Sequence, residues 1–358
     1  MPISTRARAS ENDSEPARKR LKIEDEQPQA ALQPEDAPLG LAARSEQLWF
    51  ERGDVIISAV GRSLKVHADV LSRHSDVFRG LLSEAALAAL PESLNGCPVL
   101  RTADRGEYLE KLVGIVYDGS NSNWFARKAK PLPFAELRGV AIVASKYNVQ
   151  NVIDEAVRRL SFYFPSLRAR FRSNLDFNDQ SSQPLRIVEK DAVAVIKLAK
   201  LLKAPFLLPT AYVVCALIDP EYQVKGVAYE DEVVKLDDDE LKLCLEGHAE
   251  LMEENTHVMS TLFEDPSHPS YTQCDTALKK LLHMAMKDGA LAEPDPIFPV
   301  QAWFQRKYKD KPDAQPCQLC QYRLEEMMDR RQAEVWERLG GIYGVVPWPR
   351  PPERDGSP

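Results

Sequence analysis

The sequence has no run of about 18 apolar residues, the length a helix needs to cross a bilayer. Its opening, MPISTRARASENDSEPARKR, lacks the apolar stretch of a secretory signal. Both absences point to a reducing interior and to no membrane association. Cysteine is sparse, six in 358 residues, so these thiols are read as free groups or metal ligands rather than as disulfide staples. Glycine numbers only 16, and none of it clusters into a loop that could cradle phosphate. Gly-x-Ser-x-Gly, a Walker-type loop and His-Glu-x-x-His are all missing, so the chain reads as non-enzymatic. A surplus of positive charge is missing too. The formal net charge of −8 supplies no global field toward nucleic acid, and neither a zinc-finger array nor a basic reading helix is present.

The chain is 44% hydrophobic, enough for one large domain or two ordinary ones. Residues 1–44, rich in Pro, Ala, Glu and Arg, have too little apolar surface to offset chain entropy and read as a disordered tail. Residues 45–165 alternate strand and helix signals. A polar stretch within 166–186, containing SNLDFNDQSSQP, reads as a linker. Residues 187–346 are mainly helical in pattern, and 347–358 form a Pro-rich tail.

Within 45–165 the expected order is ββααβααα, a small sheet capped by helices. Val55, Ile56, Ile57 and Val60 make an apolar strand, Gly61 permits a tight turn, and Leu64 and Val66 alternate on a second strand. A short helix covers 68–73. Ser75 is placed to cap the next helix, with Val77, Phe78, Leu81 and Leu82 on one face. A third strand spans 98–102. Asp104 and Glu107 read as a capping box before a helix that buries Leu109, Leu112, Val113 and Val116. Two further helices bury Leu137, Val140, Ala141 and Ala144, then Val152, Ile153, Ala156, Val157 and Leu160.

Five words in this order resemble the BTB/POZ family, in particular its large fungal branch. They are Trp49-Phe50-Glu51-Arg52-Gly53-Asp54-Val55-Ile56-Ile57, Leu64-Lys65-Val66-His67-Ala68-Asp69-Val70-Leu71, Ser75-Asp76-Val77-Phe78, Val116-Tyr117-Asp118-Gly119 and Ala144-Ser145-Lys146-Tyr147-Asn148-Val149. Weaker similarity continues through residues 192–199 and 207–212 and through Cys317-x-x-Cys320 ahead of Trp336-Glu337-Arg338-Leu339. The resemblance implies an α+β BTB/POZ domain followed by a mainly helical C-terminal domain. It also implies a homodimer built on residues 45–52 and the first short helix, with Trp49, Phe50, Val70 and Leu71 at the interface, and recruitment of protein partners. Such scaffolds serve cullin-type ubiquitin ligases or transcriptional regulation. Adaptors often carry a hydrophobic-x-Glu triplet before the Tyr-x-Gly word. Here that triplet is Leu109-Glu110-Lys111, with lysine in place of the glutamate. Tyr108-Leu109-Glu110 fits only one residue out of register, a rotation of about 100° around a helix, which argues against cullin binding.

Other residues have plainer readings. His67 is a helix-start residue packed at a strand end, Asp54 a buried or half-buried structural carboxylate and His74 a surface residue. Asp237-Asp238-Asp239-Glu240 reads as a solvated helix start favoured by the N-terminal dipole. Pro316-Cys317-Gln318-Leu319-Cys320 has the local geometry of a zinc knuckle. Cys274 is the best third ligand, and Cys244, His268 and His283 compete for the fourth. The alternatives are merely buried thiols or a redox pair, although no thioredoxin-like βαβ pattern surrounds it. A zinc here would be structural, and the closing helix, through Met327, Val335, Trp336 and Leu339, would dock on the same helical domain. A metal-dependent enzyme built on these Cys and His residues is the alternative from another functional class.

Arg18, Lys19, Arg20 and Lys22 resemble a short nuclear import signal in an accessible segment, against the plainer reading of a charged tail. The expected location is nuclear, cytoplasmic or both. Lys19→Ala with Arg20→Ala should shift a fluorescent fusion of the chain from nucleus to cytosol, read by microscopy; an unchanged distribution removes the signal.

Overall fold

The computed structural model describes residues 40–125, 131–174, 184–230, 232–264, 272–289 and 316–349. The chain divides into Met1–Gly40 and Leu41–Pro358, and the second unit is the subject below. The expected tail, with Arg18, Lys19, Arg20 and Lys22, lies outside the described residues.

A five-stranded sheet has the order β1-β3-β2-β5-β4. Strands β2 (Val55–Val60) and β3 (Arg62–Val66) form an antiparallel hairpin. It turns through Gly61, whose φ of 78° lies in the region open to glycine. The long strand β5 (Cys97–Arg105) runs parallel to β2 and carries the short β4 (Ser93–Leu94) on its far side. β1 (Arg44–Trp49) is an edge strand parallel to β3, where the sequence suggested only a lead-in. Its RSEQLW has no clean alternation, and Ser45 and Leu48 alone are buried.

Helices α1 (Ala68–His74), α2 (Asp76–Leu81) and α3 (Glu84–Ala88) follow the hairpin. Of the expected α2 face, Phe78 and Leu82 enter the core while Val77 and Leu81 stay exposed. α4 (Gly106–Asp118) lays Leu109, Leu112, Val113 and Val116 on the sheet. A Cβ on Gly106 would run into Val60 and Arg62, so glycine lets the helix start against the β2–β3 turn. The expected capping box is replaced: Arg105 precedes the helix without a side-chain cap, because Asp104 is engaged elsewhere.

α5 (Phe134–Lys146) and α6 (Gln150–Tyr163) complete this part. The expected linker begins with α7 (Arg168–Asn174) and, across 175–183, which lie outside the described residues, continues with β7 (Leu185–Arg186) beside β6 (Leu132–Pro133). Then come α8 (Ala192–Leu201), α9 (Leu208–Leu217), α10 (Pro220–Lys225), the hairpin β8 (Val227–Tyr229)–β9 (Glu232–Val234), α11 (Asp238–Glu264), α12 (Thr272–Lys287) and α13 (Gln318–Ile342). The fold is mixed α and β and mostly helical. A single apolar core runs from Leu48 to Tyr343, so the two stretches expected as separate domains share one interior. The chain also stays docked past residue 346: the Trp348 indole donates to the Phe206 carbonyl at 3.0 Å.

A buried ion pair ties the first stretch to the segment that leads into the second. Arg159 is 2% exposed and Glu155 6%. Arg159 donates to Glu155 at 2.9 Å, to the Trp124 carbonyl at 2.6 Å and to the Pro184 carbonyl at 2.9 Å. Arg158, half exposed, also grips Glu155. Removing one member of a buried pair leaves charge and carbonyls unsatisfied. Arg159→Ala should therefore cost about 3 kcal/mol, and Arg158→Ala under about 1 kcal/mol. Urea midpoints decide, and equal losses would contradict the assignment.

Candidate functional site

The five sequence words meet in space in two groups. In the first, the Phe50 ring stacks on Tyr117 at 4.9 Å and tilts against His67 at 5.3 Å. The His67 main-chain N–H donates to the Tyr117 hydroxyl at 2.9 Å, and its Nδ1 lies 2.9 Å from the same oxygen. Asp54 accepts from the Ala68 N–H at 2.7 Å. It is thus structural as expected, but exposed rather than buried. His67 is half-buried at the strand end and His74 is exposed.

In the second group, Ser75 Oγ accepts from the Phe78 N–H at 2.9 Å and donates to the Tyr147 carbonyl. The Phe78 and Tyr147 rings stack at 4.2 Å, nearly parallel. The Tyr147 hydroxyl donates to Asp104 at 2.6 Å and Lys146 donates to both Asp104 oxygens. Burial pushes the Asp104 carboxyl up, but Lys146, Thr102 and Tyr147 together hold it below the ordinary carboxylate value. Tyr147 is pushed well up by burial and by Asp104. Sequence reading placed Asp104 in a cap; its pairing with residues some 40 positions away has no local signal.

Of the residues expected at a dimer interface, Trp49, Phe50 and Val70 are half-buried. Trp49 lies under the Arg44 guanidinium at 4.7 Å. Leu71 is fully buried in the chain's own core and offers no surface to a partner; helical spacing turns it inward while Val70 faces out. Beside α1, an open cleft of about 670 Å³ has Leu82 and Leu87 in its lining and Asp54, Asp69, Glu84 and Glu92 around them.

The stretch 108–111 on α4 is engaged within the chain. Glu110 pairs with Arg62 at 3.2 Å, and Lys111 with Glu107 and Glu136 at 2.9 and 3.1 Å. The β8–β9 hairpin straps this face. Glu230 accepts from the Tyr108 hydroxyl at 2.8 Å and pairs with Arg105, while Glu232 pairs with Arg138 at 2.8 Å. Arg138 also covers the Tyr229 ring at 5.1 Å. The acidic run 237–240 is more than a solvated start. The Asp237 and Glu240 main-chain N–H groups each donate to the other's carboxylate at 2.9 Å in a reciprocal cap, and Glu240, 1% exposed, pairs with Lys197 and Lys200.

The thiols of Cys274, Cys317 and Cys320 all lie within 4.8 Å of one another. Cys274 sits in the first turn of α12, Cys317 caps α13 and Cys320 lies in its first turn. Cys274 and Cys320 are buried and Cys317 is exposed. The Cys317 N–H points at the Cys274 sulfur, 3.4 Å away. The Cys320 main-chain N–H draws the Cys317 thiol below its ordinary value, and burial with the neighbouring sulfurs pushes Cys320 up to about 12. Among the fourth-ligand candidates, Cys244 is buried beside Cys215 between α11 and α9 and His283 is exposed; neither joins the cluster. His268 lies outside the described residues. Tetrahedral zinc–sulfur bonds of about 2.3 Å set sulfurs about 3.8 Å apart, so with small side-chain shifts these thiols supply three of the four positions of a zinc site, and no fourth protein ligand joins them among the described residues.

In comparison with known proteins, no family model matches the chain and no curated protein matches it. Among the described residues, no helix is long and apolar enough to cross a membrane.

The Asp104 pairings carry a pH signature. With its folded pKa below the unfolded value, its stabilisation is complete above about pH 4 and is lost as pH falls below that through the folded pKa. The stability gap between wild type and Asp104→Asn, from urea melts, should be widest near neutrality and shrink as the pH falls through the carboxylate range; a pH-independent gap contradicts the pairing.

Proposed function

We propose that the chain is a non-enzymatic interaction scaffold, with a BTB/POZ-type domain at 45–165 that self-associates and recruits protein partners, followed by a helical domain that stiffens it. The observation that carries this reading is the convergence of the five words. Residues spread from 49 to 149 close on each other through Phe50–His67–Tyr117 and Ser75–Phe78–Tyr147, as words of one structural unit should. Partner recruitment has surface available in half-buried Trp49 and Val70, the exposed Val77 and Leu81, and the acid-edged cleft. The engagement of Tyr108, Glu110 and Lys111 inside the chain argues against a cullin scaffold as the partner and favours a regulatory role in the nucleus, served by Arg18, Lys19, Arg20 and Lys22. Light scattering of the full chain at micromolar concentration should give the mass of a dimer. Val70→Asp should weaken it tenfold or more, since a charge at an apolar contact costs about 1.4 kcal/mol or above. A monomer removes self-association.

The thiol cluster is proposed to hold a structural zinc that ties the start of α12 to the start of α13. Zinc stabilises the helical domain there and does no chemistry. Elemental analysis of protein expressed with added zinc should give about one zinc per chain, and less than about 0.2 rules the site out.

A further inference from the structure

We propose that Cys317 and Cys320 form a peroxide-responsive thiol pair, in which oxidation joins the two as a disulfide and dismantles the three-thiol cluster. Three features of the geometry lead there. Cys317 is exposed while Cys274 and Cys320 are buried, so a small oxidant arriving from solvent meets Cys317 first. Cys320 stands one helical turn away, and residues three apart on a helix face each other. All three sulfurs lie within 4.8 Å, so reaching a bond of about 2.05 Å needs a displacement of about 3 Å at most, within the range of side-chain rotation. Cys274 reaches the same sulfur only from another helix, and its own sulfur already receives the Cys317 N–H. Closing the shorter loop carries the smaller entropic cost.

The chemistry balances with one hydroperoxide as oxidant. The Cys317 sulfur attacks a peroxide oxygen; the O–O bond breaks, an S–OH group forms and hydroxide leaves as water after taking a proton. The Cys320 sulfur then attacks the Cys317 sulfur, its proton passing to the departing hydroxide. The S–O bond breaks, the disulfide forms and the oxygen departs as water. Two thiols are oxidised by two electrons and one hydrogen peroxide becomes two waters. A dithiol reverses the bond by exchange. Two of the three clustered sulfurs are then unavailable, so metal and disulfide exclude each other; this last clause rests on the zinc reading.

The test uses the full chain, first metal-free and then zinc-loaded, with stoichiometric hydrogen peroxide followed by alkylation, digestion and mass spectrometry. In the metal-free chain the expected product is a Cys317–Cys320 disulfide, restored to two thiols by dithiothreitol, with Cys97, Cys215, Cys244 and Cys274 unoxidised. In Cys320→Ser, checked for folding by circular dichroism, Cys317 should stop at a sulfenic acid trapped by dimedone. Cys274→Ser should leave the disulfide intact. From the zinc-loaded chain, a chromogenic chelator should register one zinc released per disulfide formed. Oxidation of wild-type Cys317 straight to sulfinic acid, or a Cys274–Cys317 link in its place, overturns the proposal. A chain that binds no zinc yet forms the disulfide removes the metal reading and leaves the thiol pair standing. A chain that binds zinc and never forms the disulfide, metal-free or loaded, does the reverse.

Discussion

Arg159 places a full positive charge, 2% exposed, at the meeting of three pieces of chain. Such a charge is costly to desolvate unless its donors are all taken. Here Glu155 takes one, and the carbonyls of Trp124 and Pro184 take others. Those carbonyls belong to segments with little regular structure of their own, whose polar main chain would otherwise be unpaired at the edge of the core. The guanidinium therefore acts as a common acceptor-gathering point: it fixes the end of the loop after α4 and the entry to β7. From β7 the chain enters α8 and α9, whose surfaces are almost wholly interior.

A second tier of charge holds the outer layers. Lys197 and Lys200 meet Glu240 and so set α11 against α8, while the β8–β9 strap reaches back to Arg105 at the end of β5, Tyr108 on α4 and Arg138 on α5. The exposed members of these pairs add little one by one. Their effect is geometric: the lysine pairs brace two helices of the C-terminal half against each other, and the strap pairs bind that half to the sheet side around a shared apolar interior.

Legibility in the sequence followed the range of the interaction. β2, β3 and the buried faces of α4, α5 and α6 were readable because their apolar spacing is local, and Ser75 because a cap acts three residues away. The pairing of Cys274 with Cys317 and Cys320 was readable from thiol chemistry and resemblance, although Cys274 and Cys317 lie 43 positions apart. β1 was not, because an edge strand with one buried apolar residue carries no period. Asp104 was misplaced because a carboxylate ahead of a helix looks like a cap whether or not Lys146 and Tyr147 wait elsewhere for it. Leu71 was taken for surface because membership of a short helix does not say which way a side chain turns. Glu230 and Glu232 carry no local signal of their partners, and only folding brings Arg105 and Arg138 to them.

The last helix fills a place opened by the first part of the chain. Trp336 packs against Phe171 and donates to the Ser166 carbonyl, 170 positions earlier, and Tyr343 stacks on Tyr212 while Trp348 reaches Phe206. During synthesis Phe171, Phe206 and Tyr212 are made more than 130 residues ahead of the partners they meet, so the interior around them stays unsealed until residue 348 has emerged. Contacts of such sequence separation slow folding and prolong the exposure of apolar surface. The nascent chain thus exposes apolar surface for a time set by the sequence separation of these contacts, and a chain cut short anywhere before residue 336 lacks the side chains that cover it.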